Sequence, residues 1–230
     1  MPSYTDLGLS NPTVARLQAQ FGTLDLNRLQ VQRKQFYSYV TYPKLGTAQL
    51  NFFGQAVGNN GSTLDDTNIP VQGSFGTSHF LIKGIEVKYK LKTYNSTAYI
   101  GTDATTITSD LLGGFFGAGV FELVVNAKTY IQVNKPFMQM PPADGRVSYY
   151  TTGSYSVSIG AEPNVELNTR SENRYLCDPE IFIMAQQNFS AQINYPTGAC
   201  AVRAASIVDD VNNPLKVGVV LDGYEFRPVQ

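Results

Sequence analysis

Few residues in this sequence could carry chemistry, and they are thinly spread. The chain has one histidine, His79, in Thr77-Ser78-His79-Phe80. A hydrolytic triad needs a base beside a nucleophile, and that base is usually histidine. His79 stands at the start of an apolar run, so a structural role is expected of it. One histidine also cannot build the multi-histidine sites usual for catalytic zinc. The two cysteines, Cys177 and Cys200, fit neither a zinc pattern nor a redox Cys-X-X-Cys. Reduced, partly buried thiols are expected, and a disulfide between them stays open.

Paired carboxylates occur at Asp65-Asp66 and at Asp209-Asp210, both in polar stretches beside Asn or Pro. Oxygen-rich loops can bind calcium, but no EF-hand spacing is present, and solvated turns explain both pairs. A glycosidase needs two carboxylates across a cleft, and the chain has no Trp for sugar stacking, although Tyr could substitute. The glycine-rich Gly113-Gly114-Phe115-Phe116-Gly117 lacks the Lys-Ser/Thr of a phosphate loop. No catalytic, metal or cofactor residue is therefore assigned, and a non-enzymatic protein is expected.

The elements that would position any site read as β-structure. Ile85-Glu86-Val87-Lys88-Tyr89-Lys90-Leu91-Lys92 alternates apolar and charged residues, as does a strand with one face in the core and one in water. Ser154 to Ile159 and Phe189 to Tyr195 alternate in the same way. Further strands are expected over 36–42, 47–56, 79–84, 120–126, 129–134, 146–151, 164–168, 180–185, 201–207, 215–221 and 224–229. Turn chemistry separates them: Gly58-Asn59-Asn60-Gly61 is a loop, Asn126-Ala127-Lys128 a tight hairpin, and Pro141 to Gly145 a turn. Asp222-Gly223 predicts a final hairpin, with Val217, Val219 and Leu221 facing the core. Val220 on the opposite face implies cover from a neighbouring subunit or an adjacent sheet. Strands arriving every ten to fifteen residues, without helices between them, argue for an antiparallel sandwich or barrel.

Residues 1–35 differ. Asn11-Pro12 is a helix start, and Val14, Leu17 and Phe21 share one helical face. The stretch is read as an N-terminal arm or peripheral helix, with a β domain over 36–230. A helix packed on its own β domain is the other reading. Arg28, Arg33, Lys34, Tyr37 and Tyr39 are the candidate subunit-contact residues of this region. Tyr suits interfaces because it joins apolar area to a hydroxyl, and ordinary β propensity accounts for it equally well.

The surface chemistry points the same way. Charged residues are 15% of the chain, against roughly 25% in soluble domains. Amides and hydroxyls take their place, and these cost less to bury than ions. Such a surface suits contact with other subunits. A net charge of -1 provides no field for nucleic acid, so no sequence-specific nucleic acid partner is expected. No run is long enough to cross a bilayer; the most apolar window, 111–125, is broken by glycines and Glu122. The opening MPSYTDLGLS lacks the basic and apolar regions of a signal peptide, and none is expected.

Three segments carry a family resemblance. One runs from Thr67-Asn68-Ile69-Pro70 through His79-Phe80-Leu81-Ile82-Lys83-Gly84-Ile85-Glu86-Val87. The second is Phe121-Glu122-Leu123-Val124-Val125-Asn126-Ala127-Lys128-Thr129-Tyr130-Ile131, followed by Pro136 and Met140-Pro141. The third is Ile181-Phe182-Ile183-Met184-Ala185-Gln186-Gln187-Asn188-Phe189-Ser190-Ala191-Gln192-Ile193. Together, over roughly residues 36–195, they resemble the jelly-roll capsid proteins of tailless, often membrane-containing icosahedral phages: the corticovirus, finnlakevirus and tectivirus groups and their single-jelly-roll relatives. The resemblance lies in layout and rests on no diagnostic motif. It implies a capsid structural protein of the virion, assembled in the host cytoplasm. Its partners would be copies of itself in a trimer or pseudo-hexamer, other capsid proteins and an internal membrane surface. It implies no catalytic residues. A single jelly roll fits 230 residues more comfortably than two fused ones. A phage spike or glycan-binding β-sandwich module is the alternative.

Overall fold

The computed structural model describes residues 29–91, 119–132, 175–196, 198 and 214–228. These form eight strands and almost no helix. The strands are β1 (Leu29–Tyr42), β2 (Gln49–Phe52), β3 (His79–Leu91), β4 (Val120–Val125), β5 (Lys128–Gln132), β6 (Tyr175–Ile183), β7 (Phe189–Asn194) and β8 (Leu215–Pro228). They make two antiparallel four-stranded sheets, ordered β1-β8-β3-β6 and β2-β7-β4-β5. The outermost strands pair with each other, β1 with β8, and so inward: β2 with β7, β3 with β6, β4 with β5. The result is a β-sandwich-like all-β fold.

The period of two decides which residues fill the core. Phe121, Leu123 and Val125 of β4 are buried, with Val120, Glu122 and Val124 between them only half-buried. Phe189, Ala191 and Ile193 do the same on β7. From the other sheet come Phe36 and Tyr42 of β1, Ile82, Ile85 and Val87 of β3, and Leu215, Val217, Val219 and Leu221 of β8. One cluster unites both sets, so the sheets face each other across a single core. The β4–β5 turn is the tight hairpin expected at Asn126-Ala127-Lys128, with Lys128 already the first residue of β5. Val125 faces Lys128, and Asn126 takes a positive φ of 53°.

The structure corrects several expectations. The arm boundary at residue 35 fails, because β1 is already extended at Leu29 and is paired with β8 along its whole length. Its first half hides a strand because Gln30, Gln32 and Lys34 occupy the core-side positions, and Gln32 and Lys34 bond there to Glu225 of β8. The expected strand 47–56 shrinks to four residues. Past Phe52, residues 53–78 form a long folded segment that opens with Phe53 at φ 60°. The strand expected at 180–185 begins at Tyr175, and its Asp178-Pro179 bond is cis.

The largest correction is at the C-terminus. There is no hairpin at Asp222-Gly223; β8 runs unbroken through it between β1 and β3. Gly223 has no positive φ. It is a glycine because a Cβ there would lie 1.8 Å from the Leu81 carbonyl oxygen. Glycine inside a strand marks close backbone approach as readily as a turn. The expected core face, Val217, Val219 and Leu221, is correct.

The helix expected after Asn11, the Pro141–Gly145 turn, the glycine-rich residues through 118 and the strands expected at 146–151, 154–159, 164–168 and 201–207 lie outside the described residues.

Candidate functional site

Along the outer face of the first sheet, three rungs cross β1, β8 and β3: Gln35, Asp222 and Gly84; Tyr37, Val220 and Glu86; Tyr39, Gly218 and Lys88. This face is not simply wet. Glu86 is buried and pairs with Lys88 at 3.4 Å, where alternation alone places it in water. Val220 is only 4% exposed within one chain, so its cover does not come from a neighbouring subunit.

A strap from residues 62–69 lies against the β1 edge. The Tyr39 amide donates to the Asp66 carbonyl at 2.6 Å, and the Tyr37 amide to Asn68 Oδ1 at 2.8 Å. Asn68 Nδ2 returns a bond to the Gln35 carbonyl at 2.8 Å. The Tyr37 hydroxyl donates to the Leu64 carbonyl, and Lys216 binds Asp66. Between strap and sheet is an open depression of about 230 Å³, floored by Val220 and bounded by Gln35, Tyr37, Tyr39, Leu64, Asp65 and Lys88. The Tyr37 and Tyr39 rings stand 5.9 Å apart, tilted by 60°. Burial, then Asp65 and Asp66, hold the Tyr37 hydroxyl protonated above the usual phenol range. The strap replaces an edge neighbour for residues 35–39, which protects an otherwise open strand edge.

The candidate contact residues thus divide. Arg33, Tyr37 and Tyr39 lie on the outer face of β1, and Lys34 on the core-side face; Arg28 lies outside the described residues. Arg33 reaches Asp222 at 3.1 Å, joined there by Gln35 at 3.2 Å. Lys34 reaches Glu225 at 3.0 Å, together with Gln32 at 2.8 Å and Arg227 at 2.9 Å. Both carboxylates are buried, with Asp222 3% and Glu225 2% exposed. Sequence reading missed them because their partners are some 190 residues away along the chain. A buried carboxylate needs such partners, since an unpaired one costs several kcal/mol (about 3–5).

His79 is structural in its contacts. Its Nδ1 accepts the Ala185 amide at 3.1 Å, and its ring stacks on Phe182 with centroids 5.9 Å apart. It fastens the β6–β7 turn to the start of β3. Asp66 of the paired carboxylates is absorbed by Lys216 and by the Thr63 amide; Asp209 and Asp210 lie outside the described residues. Among the described residues no His, Cys, Asp and Glu grouping could hold a metal ion. The Cys177 thiol is free, buried and pushed up to about 12 by burial and then by Glu180, which makes it a poor nucleophile. Cys200 lies outside the described residues.

These contacts fix a pH response. Burial alone would raise the Glu225 carboxyl, but bonds from Arg227, Gln32 and Lys34 outweigh it and hold it below its ordinary 4.5. Asp66 falls below its ordinary 3.8 because Lys216 and Thr63 outweigh burial in the same way. Burial lowers His79 below 6.5. In each case the folded state binds the proton less readily than the unfolded chain, so stability falls as pH falls. The expected melting temperature is level above pH 6.5, declines gently as the unfolded histidine protonates, and drops more steeply below 4.5. Thermal melts from pH 7.5 to 3 check this. A His79→Gln variant should lose the first decline and keep the second, whereas a melting temperature constant to pH 3 would contradict the account.

No family model, curated protein or solved structure matches this chain.

Proposed function

We propose that this chain is a capsid structural protein of single jelly-roll type that self-assembles into capsomers of an icosahedral phage shell. The observation that carries the reading is the strand order. A jelly roll is an eight-stranded double Greek key. It arises when a hairpin with strands paired first to last, second to seventh and so inward is rolled over a core. The order β1-β8-β3-β6 facing β2-β7-β4-β5 has that nesting. Fold alone does not carry function. The step to a capsid rests on the resemblance of residues 36–195 and on the low charge of the chain, 15% of residues.

In this reading Arg33, Tyr37 and Tyr39, on an edge strand, face the neighbouring subunit. Residues 1–28 serve as the arm toward a neighbour, other capsid proteins or an internal membrane surface. Light scattering and negative-stain microscopy of the purified full chain test it. Trimers or pseudo-hexameric rings are expected, in concentration-dependent equilibrium with sheets or shells. A chain that stays monomeric at all concentrations and salt conditions would overturn it.

A further inference from the structure

We propose that His79 is a pH-sensitive latch on the β6–β7 turn: a proton on its Nδ1 releases the Ala185 amide and opens residues 184–188 while the sandwich stays folded. The proposal does not rest on the capsid reading.

Its basis is the direction of one hydrogen bond. The Ala185 amide donates to His79 Nδ1 at 3.1 Å. A backbone N–H can only donate, so that nitrogen must present its lone pair, and the neutral ring keeps its proton on Nε2. A proton taken from solvent puts a second N–H where the acceptor was. Two donors then face each other, and the bond becomes a repulsion. The half-buried ring is held in place: it stacks on Phe182 at 17°, and Phe182 meets Phe226 edge-on at 6.0 Å. Phe226 is also the residue opposite His79 in the β3–β8 register.

The turn is the part that yields. It crosses from the first sheet to the second, and its Gln186 and Asn188 are exposed. Gln186 has a φ of 61°, a conformation that a residue with a side chain adopts only under local constraint. The bond from Ala185 to His79 and that from the Gln186 amide to the Gly76 carbonyl, at 2.8 Å, supply that constraint. Losing the first leaves the second to hold the strained residue alone. Opening stays local, because β6 remains paired with β3, and β7 with β2 and β4. The charged residues on the strands around His79 have partners of their own. On β8, Glu225 and Arg227 flank Phe226 and bond to each other at 2.9 Å. On β3, Lys83 stands over the Tyr224 ring, and on β6, Glu180 is buried beside Cys177. On β1, Arg33 is bound to Asp222.

Amide exchange of the full chain between pH 7 and pH 5 tests the proposal. In that range Glu225 and Asp66 keep their charge, since both are held below their ordinary values of 4.5 and 3.8. The open turn takes up the proton at the ordinary histidine value of 6.5, and the closed turn does not. The protection of the Ala185 amide, taken relative to its intrinsic exchange rate, should therefore fall about tenfold per pH unit below 6.5. It should do so at a level well below the protection of the β8 core amides, which marks local opening. The Gly46 amide, bonded to the Pro43 carbonyl in the β1–β2 turn, should show no such fall. His79→Asn offers an acceptor that does not titrate, so the fall should vanish. His79→Phe keeps a ring for the stack and removes the acceptor, so Ala185 should be weakly protected at every pH. If His79→Phe does not fold, His79→Asn decides the matter. Constant protection at Ala185, a fall that persists in His79→Asn, or a fall seen only at the level of the core amides would each overturn the latch.

Discussion

Replacing Gly223 with alanine is expected to cost about 3 kcal/mol or more in unfolding free energy, the upper end of what one added methyl does in a packed interior. The new Cβ would lie 1.8 Å from the Leu81 carbonyl oxygen and 2.8 Å from its carbon. Both are backbone atoms of β3, which is held between β8 and β6, so neither can swing aside. Relief requires the β3–β8 ladder to open where its register already shifts, between Ile82 and Gly84. Asp222 and Glu225 flank the position and would be pulled from Arg33 and Lys34. Gly218 is the control. The nearest atoms to a Cβ there belong to the Tyr39 side chain and not to a neighbouring backbone, so Gly218→Ala should cost less, about 1 kcal/mol. Urea unfolding of the two variants measures the difference. Equal costs would show that the close approach at 223 is not rigid.

That glycine also shows how much of the fold could be read in advance. Alternation found β3, β4 and β7 and the core face of β8, because burying one side of a strand leaves a mark at every second residue. It found the Asn126-Ala127 turn because positive φ selects few residue types. It misread Asp222-Gly223, since the same dipeptide serves a tight turn and a strand whose backbone is crowded from the side. Only the Leu81 carbonyl distinguishes the two, and it is about 140 residues away in sequence. The start of β1 was illegible for a related reason. Gln32 and Lys34 are half-buried on the core side and bond to the buried Glu225, so the first half of the strand carries no apolar period. Of the depression, Tyr37 and Tyr39 stood out by type. Asp65 stood out as one of a carboxylate pair and Val220 by its place on the second face of its strand, but that they meet with Gln35 and Lys88 was illegible, because they come together only through the β1–β8–β3 register and the strap.

The segment 53–78 puts Phe53, Ile69 and Phe75 into the core without forming a strand, and Phe75 is its anchor. Phe75 is 1% exposed and lies 4.6 Å from the Phe36 ring, 4.8 Å from Phe80 and 4.6 Å from Phe189, stacked on the last at 18°. Its partners come from β1, β3 and β7, so one side chain without any strand of its own ties both sheets together. The backbone around it is equally committed: the Gly73 amide donates to the Phe53 carbonyl at 2.9 Å, and the Phe189 amide to Gly73 at 2.8 Å. Sequence pattern could not show this, because an irregular segment has no period to betray which of its residues are buried. Phe75→Ala is therefore expected to lose about 3–5 kcal/mol, a full aromatic cavity between two sheets, while Phe75→Leu should lose less than half of that. Leu64→Ala, in the same segment but 66% exposed, should change stability by no more than about 0.5 kcal/mol. The strap at 62–69 belongs to this segment, so losing its anchor should also free Tyr37 and Tyr39 from their partners. Amide exchange at Tyr37 and Tyr39, whose N–H groups bond to Asn68 and Asp66, reports that directly. If Phe75→Ala leaves both the unfolding midpoint and those two amides unchanged, the segment is a surface loop, and the joint core assigned to it is wrong.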